Sequence, residues 1–343
     1  MTAIPPPIHS ISALIDAAHE GAAEKPRPHM GASQLGHDCD RWLWLSFRWA
    51  VVEPFPGRIL RLFRRGHEEE RNFISDLEMI GIKFENHQEY IDFGTHIGGS
   101  TDGTIASGVP GAEKTRHVAE FKTHALKSFD DMEKKGVEKS KPVHYAQIQL
   151  YMHGTGIERA FYMAVCKNDD RLYTERVKYN RAVAEKLLER GRRIVKSERI
   201  PDPISTDPSW YKCKFCAAHS FCHERQLTQE VNCRTCAHAT AEDDSTWSCA
   251  RWKKTIPTEF QHKGCDRHVL HPDLVPWPMK DSNTSDEAVY EIAGKDIRNG
   301  EGDAYVYSSR ELIAGGEACA NEMVGQVREA FPGAEVVAVR DAS

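Results

Sequence analysis

The sequence has 343 residues, of which 40% are hydrophobic, and a formal net charge of −6 at pH 7. At about 100–200 residues per domain, this length predicts two domains with a sizeable core. The acidic balance excludes a protein that binds nucleic acid through overall positive charge, so DNA contacts have to come from local basic patches. No stretch approaches ~18 consecutive apolar residues and no charged-then-apolar leader is present, so we expect no membrane association and a cytoplasmic location.

Hydrophobic periodicity and turn residues predict a mixed α/β (α+β) fold after a Pro- and Ala-rich, flexible N-terminus. The elements expected first are a buried helix at 38–49, an amphipathic helix at 58–80, strands at 82–92, 97–106 and 116–124, a helix at 142–153 ended by Gly154, strands at 157–167 and 172–179, and a helix from Asn180 to about 197. Cysteine-rich segments follow at 210–225 and 231–270, and then a strand-like DAYVYS, a helix near 317–330 and a strand AEVVAV.

The strand at 116–124 carries a carboxylate and an amine on one face. Side chains alternate between faces along a strand, so Val118, Glu120 and Lys122 point the same way. Residues two apart are about 7 Å apart along the strand, which suits a divalent cation and a nucleophilic water held side by side. Glu-x-Lys is also common on solvated strand faces, so the pair needs support from other segments.

Two further carboxylates give that support. Asp102, in GGSTDGTI, lies at an expected strand end among glycines that allow another backbone or a phosphate to approach closely. Glu70 falls within the apolar stripe of the helix at 58–80, and a buried carboxylate is costly unless it is paired or binds a metal. His67, at the edge of that stripe, is an alternative ligand.

The helix at 142–153 presents two polar side chains on its inward face. Gln147 and Tyr151 are one turn apart and lie on the same side as Val143 and Leu150. This placement predicts hydrogen bonds to a polar group in a cleft, unless the Tyr151 hydroxyl simply reaches solvent.

These motifs occur in the order found in the PD-(D/E)XK nuclease superfamily, and over roughly residues 33–225 the chain resembles its RecB-like branch. The matching motifs are Gly66-x-x-x-Glu70, Gly99-x-x-Asp102, Glu120-x-Lys122 and Gln147-x-x-x-Tyr151. The residue before the catalytic Asp, often Pro in the superfamily, is not Pro here. The branch often has His where Glu70 stands, which leaves the third ligand open between Glu70 and His67.

The resemblance implies a restriction-endonuclease-like αβββαβ core and a role for each motif residue. Asp102 and Glu120, helped by Glu70, would bind Mg²⁺ or Mn²⁺, which prefer oxygen ligands. Lys122 would orient or deprotonate the attacking water and offset charge in the transition state. Gln147 and Tyr151 would position the DNA strand.

Ten cysteines in a cytoplasmic chain are not expected to form five disulfides, so clustered cysteines indicate metal ligands. Cys213-x2-Cys216-x5-Cys222 lacks the fourth thiolate usual for zinc or an iron–sulfur cluster, and Cys39 is the only cysteine before the predicted core. One cysteine before the core and three after it resembles AddB and the CRISPR-associated adaptation nucleases, which implies a [4Fe–4S] cluster. The spacing itself does not exclude zinc.

A second set, Cys233, Cys236, Cys249 and Cys265, has the spacing of a structural zinc site, with His238 and His268 as substitute ligands. The lone Cys166 and Cys319 are expected to be buried free thiols. Aromatic and basic residues interleave in the same segment, which suits either stacking on single-stranded bases or a small zinc core with a solvated rim. These residues are Trp247, Arg251, Trp252, Lys253 and Lys254.

The sequence therefore predicts four regions: a flexible N-terminus at 1–30, a RecB-like nuclease domain with a cysteine cluster at 31–228, a zinc-binding region at 229–280 and a small α/β segment at 281–343. Two basic clusters could contact phosphates or be solvated. They are Arg58, Arg61, Arg64 and Arg65, and Arg190, Arg192, Arg193 and Lys196.

The leading hypothesis is a Mg²⁺- or Mn²⁺-dependent DNA exonuclease that acts on single strands or duplex ends in recombination or repair. We expect it in a bacterial or phage-infected cell, with DNA and recombination proteins as partners. The alternatives are an endonuclease and a DNA-binding scaffold whose metal centres are structural. An iron–sulfur redox protein is disfavoured, because it has no use for Glu70 or the Glu120–Lys122 pair.

Overall fold

The structure is a computed structural model that describes residues 10–280 and 286–337. These residues form the mixed α and β fold that the sequence predicts. The chain divides into two compact units. Unit 1 comprises the described parts of Met1–His37 and Glu53–Gly191, and unit 2 those of Asp38–Val52 and Arg192–Ser343. The predicted boundaries at 228 and 280 both fall inside unit 2. Residues 1–9, 281–285 and 338–343 of the predicted terminal regions lie outside the described residues.

The helices and strands of the described residues are as follows. The helices are α1 (Ile11–Gly21), α2 (Asp40–Phe47), α3 (Gly57–Met79), α4 (Leu126–Ser140), α5 (Pro142–Thr155), α6 (Arg181–Val195), α7 (Tyr211–Lys214), α8 (His219–His223), α9 (Thr258–Gln261), α10 (Ser309–Gly315) and α11 (Glu322–Ala330). The strands are β1 (Met30–Gly31), β2 (Lys83–Asn86), β3 (Glu89–Gly94), β4 (Ile97–Thr101), β5 (Gly103–Ser107), β6 (His117–His124), β7 (Arg159–Cys166), β8 (Leu172–Lys178), β9 (Ala239–Ala241), β10 (Trp247–Cys249), β11 (Lys254–Thr255), β12 (Met279–Lys280), β13 (Ala288–Ile292), β14 (Lys295–Asn299) and β15 (Val306–Tyr307). Among them, no helix is long and apolar enough to cross a membrane.

Unit 1 is built on a five-stranded sheet with the order β2-β5-β6-β7-β8. The central strands β6 and β7 are parallel, and the other neighbouring strands are antiparallel. Ala119 and Phe121 of β6 pack into one apolar cluster with Phe73 and Leu77 of α3. This packing covers one face of β6 and leaves Glu120 and Lys122 on the other, as the alternation of side chains predicts.

Two predicted strands are each split in the structure. The first becomes β2 and β3, and the second becomes β4 and β5, with a break at Asp102. β3 and β4 pair in a separate three-stranded sheet with β1, whereas β2 and β5 belong to the five-stranded sheet. The backbone at Gly103 has φ of +151°, and a Cβ there would lie 3.0 Å from the carbonyl oxygen of Asn86. A glycine therefore allows the chain to leave one sheet and enter the other directly after Asp102.

Other differences concern helices. Residues 11–21, predicted as part of a flexible terminus, form α1, whose N-cap Ser10 accepts a hydrogen bond from the Ala13 amide. α1 contacts α3 closely, since a Cβ at Gly57 would lie 2.4 Å from the backbone of Asp16. The helix α4 was not predicted. α5 continues through Gly154 to Thr155, and the residue that caps it is Gly156, in the left-handed conformation with φ of +69°.

Unit 2 contains the antiparallel sheet β11-β10-β9 and the four-stranded sheet β12-β13-β14-β15. An apolar cluster around Tyr290, Ile292 and Leu312 forms the core next to the four-stranded sheet. The hairpin of β13 and β14 was not predicted. The predicted strand DAYVYS is reduced to β15, and the described part of AEVVAV, residues 334–337, is not in a strand.

Candidate active site

Asp102 stands at the crossing between the two sheets of unit 1. Its Oδ2 accepts a hydrogen bond of 2.7 Å from the main-chain N–H of Phe121. Phe121 lies between Glu120 and Lys122 on β6, so this bond ties the end of β4 to the strand that carries the predicted Glu-x-Lys pair. The bond therefore brings Asp102 close to Glu120 and Lys122, which lie 18 and 20 residues further along the chain.

Glu120 and Lys122 lie on the same face of β6 and form an ion pair. Glu120 is fully buried, and its Oε2 has no hydrogen-bond partner among the described residues. The Lys122 ammonium lies 3.7 Å from Asp102 Oδ2 and donates a hydrogen bond of 3.0 Å to the Phe121 carbonyl oxygen. Lys122 therefore bridges the two carboxylates.

The pKa values of this pair follow from burial and charge. Burial raises the pKa of Glu120, and the neighbouring Asp102 raises it further, while Lys122 opposes the shift. Burial alone would lower the pKa of Lys122, but the carboxylates of Glu120 and Asp102 outweigh it and raise that pKa. Lys122 therefore stays protonated across the physiological pH range.

Glu70 of α3 faces the same site. Burial raises the pKa of Glu70, and the charge of Asp102 raises it further, while His67 and Lys122 lower it. Phe73 and Leu77, one and two turns further along α3, are buried, so the predicted apolar stripe is confirmed in this half of the helix. Phe63, at the other end of the predicted stripe, is 44% exposed. His67 is exposed and Glu70 is half-buried. Of the two alternative ligands, Glu70 is thus the more enclosed.

Gln147 and Tyr151 are both buried on the face of α5 that is turned to these carboxylates. Burial raises the pKa of Tyr151, as does the charge of Glu120, while a hydrogen bond with Gln147 opposes the shift. Gly99 of β4 makes room for the tyrosine, because a Cβ there would lie 2.7 Å from the Tyr151 hydroxyl oxygen. The packing of Tyr151 therefore explains why a glycine, Gly99, stands in the predicted Gly-x-x-Asp motif.

The structure adds three residues that the sequence interpretation missed. The Tyr162 hydroxyl hydrogen-bonds to His124 Nε2 at 2.9 Å and to His144 Nδ1 at 3.0 Å. Tyr162 of β7 is the cross-strand partner of Glu120 in the parallel register. His124 lies two residues beyond Lys122 on β6, and His144 lies one turn before Gln147 on α5, so both were visible from the same periodicities that marked their neighbours.

The first set of cysteines is gathered in unit 2. Cys39, at the start of α2, is close enough to Cys213 and Cys222 to affect both thiols. Burial raises the pKa of Cys213, and Cys39 and Asp207 raise it further. Burial likewise raises the pKa of Cys222 against the opposing charge of Arg41, with Cys216 and Cys39 adding to the increase.

The second set of cysteines also lies together in unit 2. Burial raises the pKa of Cys233 to about 12, and Cys236, Cys265 and Cys249 each add to the increase. His268, a predicted substitute ligand, has both ring nitrogens engaged, Nδ1 with Ser309 Oγ at 2.8 Å and Nε2 with the Asn232 carbonyl oxygen at 3.0 Å. Within residues 10–280 and 286–337, no three His, Cys, Asp or Glu side chains already stand as a complete ligand group for an ion.

Several predicted DNA-contacting side chains have structural roles. Trp247 is 1% exposed and packs against Phe47, so it cannot stack on bases. Arg61 pairs with Asp16 in unit 1. Arg190 donates hydrogen bonds to the carbonyl oxygens of Leu35 and His37. In unit 2, Arg193 forms an ion pair with Asp40, and Lys196 forms one with Asp243.

Comparison with known proteins gives only distant similarities. No protein-family model matches the chain, and no curated protein sequence is similar to it. Among solved structures, SSO0001 is similar with 14% sequence identity and a TM-score of 0.39, over 62% of this chain and 96% of that one. The alkaline exonuclease LHK-Exo from Laribacter hongkongensis is similar with 15% identity and a TM-score of 0.35, over 52% of this chain and 90% of that one. LHK-Exo in complex with dAMP has 16% identity and the same TM-score, over 53% and 90%. At these values the similarity assigns neither an activity nor a substrate to this chain.

Proposed function

We propose that this protein is a metal-dependent nuclease of the PD-(D/E)XK type that hydrolyses phosphodiester bonds in DNA. One observation carries the proposal: Asp102 and Glu120 converge on the Lys122 ammonium, while the charge of Asp102 acts on Glu70. We propose that these three carboxylates and this ammonium, contributed by α3, by the residue after β4 and by β6, make up the constellation that the four sequence motifs predict.

The donor set fits a divalent cation such as Mg²⁺ or Mn²⁺. Glu120 is fully buried with Oε2 unpartnered among the described residues, and a buried carboxylate oxygen without a partner is costly. Asp102 and Glu70 add further carboxylate oxygens, which are the ligands that these hard cations prefer. We propose Asp102, Glu120 and Glu70 as the ligands. When bound, such a cation polarises the scissile phosphate and lowers the pKa of a bound water.

The remaining side chains divide the work of binding and orientation. The raised pKa of Lys122 supports a role as a fixed positive charge that orients the attacking water and offsets negative charge at the phosphorus, rather than a role as general base. We propose that Gln147 and Tyr151, which are buried on α5 beside this site, position the DNA strand and Lys122.

We further propose that the two sets of cysteines bind metal. Each set holds thiols whose pKa is raised by burial and by the other thiols, so forming several thiolates there requires a compensating cation. For Cys39, Cys213, Cys216 and Cys222 we favour a [4Fe–4S] cluster over zinc, on the resemblance in cysteine arrangement. For Cys233, Cys236, Cys249 and Cys265 we favour a structural Zn²⁺.

Exonuclease action on single strands or duplex ends, in recombination or repair, is the finer form of the proposal. It is supported by the resemblance of the cysteine arrangement to iron–sulfur nucleases. Recombination proteins in a bacterial or phage-infected cell are the partners that this activity would require.

The test is cleavage of end-labelled oligonucleotides by the purified full chain with Mg²⁺ or Mn²⁺. We expect degradation of linear single-stranded or duplex DNA, none in EDTA, and a loss of at least about 100-fold in Lys122→Ala. Lys127→Ala, an exposed lysine at the start of α4, is the matched control and should retain full activity.

Circular single-stranded DNA separates the modes of action, since an exonuclease leaves it intact and an endonuclease cuts it. A Lys122→Ala protein that cleaves at the full rate would refute the assignment of the site. DNA binding without cleavage under any metal would instead favour a scaffold with structural metal centres.

A further inference from the structure

A short segment of unit 2 displays aromatic rings to solvent. Tyr211 is 65% exposed and Phe215 is 82% exposed, while Cys213 between them is buried. Tyr211 is the first residue of the short helix α7 and Phe215 directly follows its last residue, so the two exposed rings flank this single turn. A ring as large as phenylalanine usually loses most of its surface in a fold, so this pair lacks the contacts that its chemistry favours.

Lysines alternate with these rings. The Lys212 ammonium lies 5.7 Å from the ring centroid of Trp210 and 5.8 Å from that of Tyr211. The Lys214 ammonium lies 5.6 Å from the centroid of Phe215. We name Trp210, Tyr211, Lys212, Lys214 and Phe215 the aromatic–lysine segment. It combines flat π surfaces with positive charge within six residues of chain.

The charge of the segment is only partly neutralised. Lys212 forms an ion pair with Asp38. Lys214 has no carboxylate partner in the described part of the chain, and the Phe215 ring that it covers is the most exposed ring of the segment. An anionic partner with flat groups would therefore meet an available cation and an available ring at neighbouring positions.

Single-stranded nucleic acid has this chemistry. Its unpaired bases can stack on aromatic side chains, and each stacked base increases the affinity measurably. Its phosphates attract the lysine ammonium groups. Duplex DNA keeps its bases stacked on each other, so it can use the lysines but not the rings. An acidic peptide could likewise use the lysines, but it supplies few flat groups to the rings.

We propose that the aromatic–lysine segment is a binding site for single-stranded DNA, in which bases stack on Phe215 and Tyr211 and Lys214 contacts a phosphate. The proposal rests on the proposed nuclease function for its choice of DNA as the ligand. It assigns to the loop of the first cysteine set a role in holding the substrate, separate from the carboxylates of unit 1.

The test uses the full chain carrying Asp102→Asn, with no added Mg²⁺ or Mn²⁺ and no chelator, so that binding is measured without cleavage and any metal bound by the cysteines is kept. Fluorescence anisotropy with a labelled oligothymidine should show binding that weakens at least about fivefold in Phe215→Ala and in Tyr211→Ala. Phe215→Trp should keep the affinity of the parent. Phe331→Ala removes a ring that is 67% exposed elsewhere in unit 2 and is the matched control.

Two further probes separate the rings from the lysines. An abasic strand of the same length offers phosphates without bases, so the parent and Phe215→Ala should bind it equally weakly. Lys214→Ala should reduce the slope of log affinity against log salt by about one phosphate contact.

Equal affinity of Phe215→Ala and the parent for oligothymidine would overturn the proposal, provided that both proteins contain the same amount of metal. Binding of polyglutamate that depends on the rings, without binding of oligothymidine, would overturn it in favour of a protein partner. Ring-dependent binding in a protein that never cleaves DNA would uphold this site while the nuclease assignment fails. Cleavage of DNA together with binding that does not depend on the rings would uphold the nuclease assignment and overturn this binding site.

Discussion

The carboxylate of Asp102 accepts a 2.7 Å hydrogen bond from the backbone N–H of Phe121, the residue between Glu120 and Lys122. This bond ties the Asp102 side chain to the main chain of β6, the strand that carries Glu120, and so restrains one proposed metal ligand relative to another.

Replacing Asp102 should separate the structural role of this bond from the role in catalysis. Asp102→Ala and Asp102→Asn should both abolish cleavage, because each removes a carboxylate from the proposed ion site. Asp102→Ala also removes the acceptor for the Phe121 N–H and should lower the free energy of unfolding by about 1–3 kcal/mol. Asp102→Asn keeps an oxygen that can accept this hydrogen bond, so its free energy of unfolding should decrease less than that of Asp102→Ala. Urea unfolding of both variants checks this, and equal stability of the two would contradict it.

Gly99→Ala should impair cleavage more than stability. The added methyl group would lie 2.7 Å from the Tyr151 hydroxyl oxygen, so the tyrosine side chain has to shift. Tyr151 would then leave its position beside Gln147 and Glu120, so cleavage should fall about tenfold or more while the melting temperature changes little. Gly21→Ala, where nothing lies within 4 Å of the new methyl group, is the matched control. Full activity of Gly99→Ala would show that the position of Tyr151 does not matter.

Metal affinity at the carboxylate site should rise with pH. Burial raises the pKa of Glu120, and a proton on that carboxyl group competes with the cation. As pH increases through that raised pKa, the proton leaves and the affinity for Mn²⁺ should increase, by at most about tenfold per pH unit for one proton. Isothermal titration calorimetry in buffers of different ionisation enthalpy measures the released proton. In Glu120→Gln, binding should be weak and nearly independent of pH; proton release as large as in the parent would place the competing group elsewhere.

Replacing Cys39 should release the metal that we propose for the first cysteine set. Cys39→Ser should reduce the metal bound at Cys213, Cys216 and Cys222 and leave the zinc proposed for the second set in place, as measured by elemental analysis of anaerobically prepared protein. If the metal is an iron–sulfur cluster, absorption near ~400 nm disappears with it. Cys319→Ser, which changes a buried thiol of the C-terminal region, should keep both metals. Retention of both metals by Cys39→Ser would remove Cys39 from the centre.

The buried histidines beside Tyr162 should make unit 1 less stable in mild acid. Burial lowers the pKa of His124 to about 4, whereas in an unfolded chain it is about 6.5. Below pH 6.5 the unfolded chain takes up the proton first, so stability should fall as pH decreases towards 4, by at most about 1.4 kcal/mol per pH unit for this group. The loss should be smaller in His124→Asn, measured by hydrogen exchange of β6 and β7 amides. A ring of His124 that titrates near pH 6.5 by ¹⁵N NMR would disprove the shift.

Much of the candidate site followed from local periodicity. The faces of β6 and of α5 were predicted from spacings of two and of three to four residues, and Glu70 was marked by its place in an apolar stripe. Spacing also grouped Cys213 with Cys216 and Cys222, and Cys233 with Cys236, Cys249 and Cys265. The assignment of Cys39 to the first set came from the resemblance. These features depend on the geometry of single elements, which the order of residues determines directly.

The sequence by itself therefore determined which side chains share a face of a helix or strand. Only the tertiary structure decided that the chain changes sheets at Asp102, that Phe121 holds this carboxylate, and that Tyr162 joins His124 to His144. It also decided that Trp247 is core rather than a stacking surface. These outcomes depend on contacts between segments far apart in the chain, and packing rather than local preference selects them, because many registers and sheet pairings satisfy the same hydrophobic pattern.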